Sequence, residues 1–351
     1  MADELSPHQA EELARRIVEL YARAEYELLQ RLATHLAKGL DADEHWTERQ
    51  LLELQRFRQA ATVILEKLSA DSTAIVSEVI GLAGNRGAAI ASVGQAVGAG
   101  VVSTAVDPFA VTAIAAELEQ KLSASRGRIF RSVDDIYRQV IAETTPLVNM
   151  GTMTRRDAAQ RALTKLASHG VTGFIDRTGR RWEMSSYVEM ASRQATKEAA
   201  IQGHTDRMIA QGHNLIIISD VPQECADCRP WEGKVLALKP DGQHRTLDDA
   251  RDAGLYHPGC RHSQSRYQPG RTRSFGETAD PEGDKARQKL RYLERQKRAA
   301  LREEAAAMDD DARAKAKAKA KAYNAKIAEH VATTSAKRQR HRERAGFTAA
   351  R

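Results

Sequence analysis

Three cysteines and two histidines carry the densest chemistry in the sequence: Cys225-x2-Cys228 and, after a long loop, His257-x2-Cys260-x-His262. Two thiolates two residues apart can bite one soft cation from a tight turn. A second pair returning from a distant loop completes a tetrahedron. The spacing selects Cys225, Cys228, His257 and Cys260 as ligands of a structural Zn2+, with His262 as an alternative ligand or a support behind the ligands. Four protein ligands leave no open position for water, so the pattern predicts a clamp and no enzyme activity. The plain alternative is reduced cysteines and surface histidines without metal, since one CxxC plus one HxxC is less specific than a doubled CxxC.

Two catalytic patterns come near this one. Zinc deaminases place H-x-E ahead of P-C-x-x-C, and His204-Thr-Asp206 does precede Cys225-x-x-Cys228. Here Asp stands where the proton-shuttling Glu is needed, and no Pro directly precedes the first Cys. A metal-dependent nuclease built around His262 would need a general base and an open metal position. A third constellation lies on a helix: Arg193, Lys197 and His204 fall on nearly one face and are candidate phosphate ligands, although such a row is more often a solvated face.

The elements that must position these residues are mainly α-helical. Leu13, Ile17, Leu20, Ala24, Leu28 and Leu32 recur at helical spacing, and Leu54, Phe57, Ala61, Ile64 and Leu68 repeat the pattern. Each stripe needs a partner, either across a hairpin broken near Gly39 to Glu44 or on another subunit. Residues 87–106 carry no charge, with Gly94 and Gly98 in the spacing that lets helices approach closely. The run is long enough to span a bilayer, but its residues are small and weakly apolar; a buried helix is the better reading and membrane contact the minor one.

Beyond Met150 the signals become those of a small α+β domain. Thr154-Arg-Arg-Asp157 resembles a capping box opening a helix that stops at His169-Gly170. Ser186-Tyr-Val-Glu189 is a second box, whose helix runs to Gly212. Residues 173–182 read as a hairpin turning at Thr178-Gly179, and Asn214 to Ile218 and Val235 to Leu238 as strands. After Gly270 charge dominates. Residues 271–351 hold 22 Lys/Arg against 12 Asp/Glu, a net of +10, leaving 32 basic against 35 acidic residues elsewhere. Any attraction to a polyanion therefore belongs to this end, and Arg313 to Lys321 reads as low complexity with no apolar face.

The sequence thus predicts a helical, partner-docking region over 1–149, a zinc-stabilised α+β domain over 150–270, and a basic, partly helical tail over 271–351. Only 5% of residues are aromatic and 29% are charged, which suits extended helices better than one large core. The three clustered cysteines exclude a disulfide framework, and no basic segment followed by an apolar run opens the chain, so retention in a cytoplasm is expected.

The run Gly173-Phe-Ile-Asp176-x-x-Gly179-Arg-x-Trp182, then Tyr187-x-x-Met190-x-x-Arg193, Cys225-x-x-Cys228-x-x-Trp231-x-Gly233, His257-Pro-x-Cys260-Arg-His262 and Tyr267-x-Pro-Gly270, resembles the phage minor capsid protein 2 family, itself similar to MuF-type head morphogenesis proteins. The resemblance implies a minor virion component inside the head of a tailed phage, portal-associated, acting in head morphogenesis, DNA packaging or genome ejection. It carries no catalytic residues over. The expected partners are the portal and other head proteins, with packaged double-stranded DNA reached through the basic tail. The rival functions are a nucleic-acid-acting effector such as a metal-dependent nuclease, and a membrane-active ejection protein acting through 87–106.

Overall fold

The computed structural model describes residues 7–40, 46–92, 106–149, 153–169, 174–175, 181–221, 227–272 and 279–345. Long helices dominate: α1 (Pro7–Leu40), α2 (Trp46–Ala91), α3 (Pro108–Asn149), α4 (Arg155–His169) and α5 (Met184–Ala210). A strand pair, β1 (Phe174–Ile175) and β2 (Arg181–Trp182), lies between α4 and α5 in sequence. After α5 come β3 (Leu215–Ile218), β4 (Val235–Ala237), the short α6 (Leu247–Asp252) and β5 (Gln264–Arg266), then α7 (Pro281–Ala305) and α8 (Asp310–Thr333).

The chain divides into two compact units that interleave along the sequence. Met1–Val18, Thr73–Lys121 and Glu189–Lys285 form the first; Glu19–Ser72, Leu122–Val188 and Ala286–Arg351 form the second. This division differs from three consecutive spans ending at 149 and 270, because the long helices carry residues into both units.

In the first unit β3 is the central strand of an antiparallel sheet ordered β4-β3-β5, with Ile217 opposite Val235 on one side and Ser265 on the other. Ile216, Ile217 and Ile218 are all buried, as a continuous apolar run in a central strand should be. They join Leu236, Trp231, Leu247, Leu255, Tyr256, Ile201 and Met208 in one core. Helix α5 ends at Ala210, and Gly212 follows with φ 75°, a left-handed conformation that glycine adopts without Cβ strain. Two glycines bring α2 and α5 into backbone contact. A Cβ on Gly87 would fall 1.9 Å from the Ala200 carbonyl oxygen, and one on Gly203 would fall 2.0 Å from that of Gly84. The pair expected to allow close helix approach, Gly94 and Gly98, lies outside the described residues.

In the second unit the stripes of α1 and α2 find their partners within the chain. Leu28, Leu32, Phe57, Ala61 and Leu68 are buried, and Phe57 packs against Tyr137 of α3 at 6.2 Å between ring centroids. Of the two partners open to these stripes, the chain itself covers these residues. Helix α4 opens with Thr154 accepting from the Asp157 amide at 3.1 Å, the capping arrangement its sequence announced. By contrast, α5 starts at Met184, two residues before the box expected at Ser186.

The basic end carries two helices, α7 and α8. Asp309 caps α8 by accepting from the Ala312 amide at 2.8 Å, and two further acids occupy its first turn, favourable at the positive helix end. Ala316, Ala320 and Ile327 are buried, and Ile327 packs with Leu290, Leu293 and Ala336. Strict Ala/Lys alternation looks faceless when read with a period of two. Wound at 3.6 residues per turn, the alternation spreads alanines around the helix: Ala314 and Ala318 are exposed, while Ala316 and Ala320, four residues apart, are buried.

Candidate metal centre

The metal residues reach one place because the sheet and α5 hold two loops together. Cys228 opens the 3-10 turn Arg229–Trp231 between β3 and β4, with the Trp231 amide donating to the Cys228 carbonyl at 2.9 Å. The second loop runs from α6 to β5. There Tyr256 sits at φ 65°, a sparsely populated conformation for a bulky residue, immediately before His257. Gln194 of α5 holds that turn by donating to the Tyr256 carbonyl at 3.0 Å, and the Cys260 amide donates to the His257 carbonyl at 2.9 Å.

Donor atoms of Cys228, His257 and Cys260 lie within 4.8 Å of one another, and both thiols are buried. The two sulfurs are 3.5 Å apart. Two soft sulfurs and an imidazole at this spacing fit a borderline-soft ion such as Zn2+, which would draw all three donors inward. When bound, such an ion supplies cross-linking between the two loops. Cys225 lies outside the described residues.

His262 stands behind the ligands. Its amide donates to the Cys260 sulfur at 3.4 Å, its Nδ1 lies 3.4 Å from the same sulfur, and its Nε2 lies 2.6 Å from a Glu232 carboxylate oxygen. Burial would push the imidazole's pKa down, but the contacts with Cys260 and Glu232 reverse this and raise it. The Cys260 thiol is held well below the usual thiol range, first by its hydrogen bond with Cys228 and then, against the opposing effect of burial, by His262 and the Lys197 charge. His262 thus touches a candidate ligand sulfur and a carboxylate at once.

The row on α5 expected as phosphate ligands has protein partners. Arg193 is 2.5 Å from Glu11 and 4.0 Å from Glu189. Lys197 is turned toward the metal loop, its Nζ 3.3 Å from the Cys260 carbonyl oxygen and 4.4 Å from the Tyr256 ring centroid. His204 is only 1% exposed and accepts from Gln264 at 3.1 Å; burial drives its pKa down to about 4. A face shared in sequence became the inner face of the helix, where the same periodicity serves packing. His204 is likewise separate from the three donors brought together, so the deaminase-like order is not assembled around them.

Sequence reasoning missed Glu232, Gln194 and Tyr256. Gly254 and Gly259 flanking the His257 turn were the available signal for a tightly bent loop, but a left-handed tyrosine has no local signature. Among the described residues no helix is long and apolar enough to cross a membrane. Most of the uncharged run, 93–105, lies outside them.

The chain is mostly helical, and one small sheet and two loops gather soft donors that could hold a metal ion. The phage minor capsid protein 2 profile matches residues 5–332. The chain belongs to that family, so a structural role in a phage head is supported. No curated relative and no solved structure matches it.

Proposed function

We propose that this protein is a non-catalytic minor component of a tailed-phage head, associated with the portal and acting in head morphogenesis, DNA packaging or genome ejection, with a zinc clamp fixing its α+β module. Family membership over most of the chain is the observation that carries this reading. The non-catalytic part is supported by His262: both ring nitrogens face protein groups and the residue is 2% exposed, which leaves it poorly placed to activate water.

Contact with the portal would have to use side chains the fold leaves outward, among them Leu51, Leu52 and Val63 of α2. Packaged DNA is the natural partner of the exposed lysines of α8, including Lys317 and Lys321, through counterion release at phosphates.

Quantitative mass spectrometry of purified DNA-filled virions, combined with cross-linking, tests the proposal. A few copies per virion, cross-linked to portal subunits, are expected. Absence from filled virions, or a copy number matching the major shell protein, would overturn it.

A further inference from the structure

The two thiols gathered at the metal centre have a second chemistry open to them, one that needs no ion. The Cys228 and Cys260 sulfurs stand 3.5 Å apart. A disulfide bond is about 2.05 Å long, so an approach of about 1.5 Å by two loop side chains would join them.

Their closeness is held by contacts that involve no metal. Glu232, which follows the Cys228 turn, accepts from the Val221 amide at 3.0 Å and lies 2.6 Å from His262 Nε2, so it ties that turn to the residue two beyond Cys260. Strands β3 and β5 pair through Ile218 and Gln264 just behind the same loops. On the far side of the thiols a Cβ built on Gly254 would fall 3.8 Å from the Asp227 side chain, so the loops touch there as well. The two cysteines differ in access. Cys260 is 8% exposed and Cys228 0%. The His262 amide donates to the Cys260 sulfur at 3.4 Å and fixes its place. One thiol can thus meet a small oxidant from solvent, while the other stands behind it within reach.

We infer that Cys228 and Cys260 are a redox-active pair that a peroxide converts to a disulfide, tying the two loops covalently at the point where a metal would otherwise tie them. The Cys260 sulfur attacks one peroxide oxygen: an S–O bond forms, the O–O bond breaks, and with hydrogen peroxide the other oxygen leaves as water carrying the thiol proton. The Cys228 sulfur then attacks the Cys260 sulfur: the S–S bond forms, the S–O bond breaks, and a second water leaves with the Cys228 proton. Two thiols lose two electrons, and the peroxide is reduced to two waters. An ion held at the centre is released, because of the three donors only His257 keeps its ligand atom. The pairing rests on the placement of the thiols and not on the metal-clamp reading. The role proposed above supplies its occasion: a chain assembled in a host cytoplasm and carried away in a particle passes from reducing to oxidising surroundings.

Hydrogen peroxide treatment of the full wild-type chain, zinc-loaded and after chelation, followed by alkylation of the remaining thiols and peptide mass mapping, tests the pair. Two of the three thiols should disappear, a peptide linked through Cys228 and Cys260 should appear, and dithiothreitol should reverse both changes. In the zinc-loaded sample a chromophoric chelator should register zinc in step with the bridge. The oxidised, metal-free chain should melt above the reduced, metal-free chain, and Cys225→Ser should form the same bridge. A bridge from Cys225 to either partner in the wild type, oxidation of Cys260 to sulfinic or sulfonic acid without a bridge, or three intact thiols in the metal-free chain overturns the inference. A wild-type chain that takes up no zinc yet forms the bridge sinks the clamp and supports the pair, whereas one that binds zinc but forms no bridge once the zinc is removed sinks the pair alone.

Discussion

The sulfurs of Cys228 and Cys260 lie 3.5 Å apart although 32 residues separate them in sequence. Between them run β4, α6 and the turn at Tyr256, so the closeness is a property of the folded sheet and of α5 beneath the loop. It turns a sequence pattern into a specific mechanical claim: two loops are tied at one point.

Helix crossing in the first unit makes a sharp steric prediction. Gly→Ala in a helix interior normally stabilises by up to about 1 kcal/mol, and Gly81→Ala should do so because nothing lies within 4 Å of its new Cβ. Gly87→Ala, two turns along the same helix, should instead destabilise by about 3 kcal/mol, because its Cβ would meet the Ala200 carbonyl. Urea midpoints of the two variants should move in opposite directions; a shift of the same sign would refute the close crossing.

His204 should make stability pH-dependent. Its folded pKa is depressed to about 4 by burial, against an ordinary value of 6.5. The unfolded chain therefore takes up a proton at a pH where the folded one does not. The full contribution is present above about pH 6.5 and is lost as pH falls toward 4, by about 3 kcal/mol in total. With zinc saturating, His204→Gln should flatten this part of the pH profile between 7 and 5. An unaltered slope in the variant would remove His204 as its source.

Arg302 in the second unit is buried to 1% exposure and works as a cap from outside the helix it caps. It donates to the Ala167 and Ser168 carbonyls in the last turn of α4 at 3.0 and 3.3 Å and pairs with Glu183 at 3.2 Å. Arg302→Met should cost about 2–4 kcal/mol, since the carbonyls and carboxylate lose their donor. Arg302→Lys should recover only part, lacking the planar fork. Denaturant titration of both variants decides, and equal stability of Arg302→Met and wild type would refute the cap.

These residues also show what the sequence could and could not reveal. The α1 and α2 stripes, the Thr154 cap, the β1–β2 pair, β3 and β4 were legible because each is written in local periodicity or turn chemistry. Strand β5 was not: Gln264-Ser-Arg266 has no apolar alternation, and Gln264 is buried to bind His204 and Thr205. Of the site, Cys228, His257 and Cys260 were visible as spacing. Lys197 and Glu232 were not visible in that role, because support behind a ligand depends on which helix or turn lies under the loop. The tail misled for a different reason: its buried set, Ala316, Ala320 and Ile327, is spaced four and seven residues apart among lysines, too sparse to read as a stripe.

The buried residues of α7 and α8 rule out truncation as a test of DNA contact. Removing everything after Gly270 would strip Leu290, Leu293 and Ile327 from a core, so loss of binding would be uninterpretable. Lys317→Glu with Lys321→Glu leaves the buried face intact. The pair should lower affinity for double-stranded DNA and reduce the steepness of its salt dependence by about two phosphate contacts. Equal salt slopes for variant and wild type would exclude these lysines.

The most direct test of the clamp is thermal unfolding of the metal-loaded chain before and after a high-affinity chelator, with metal content measured on the same sample. One zinc per chain, and a large loss of melting temperature on its removal that Cys228→Ser reproduces without chelator, is the expected result. A protein that carries no stoichiometric metal and melts identically in chelator would contradict the account.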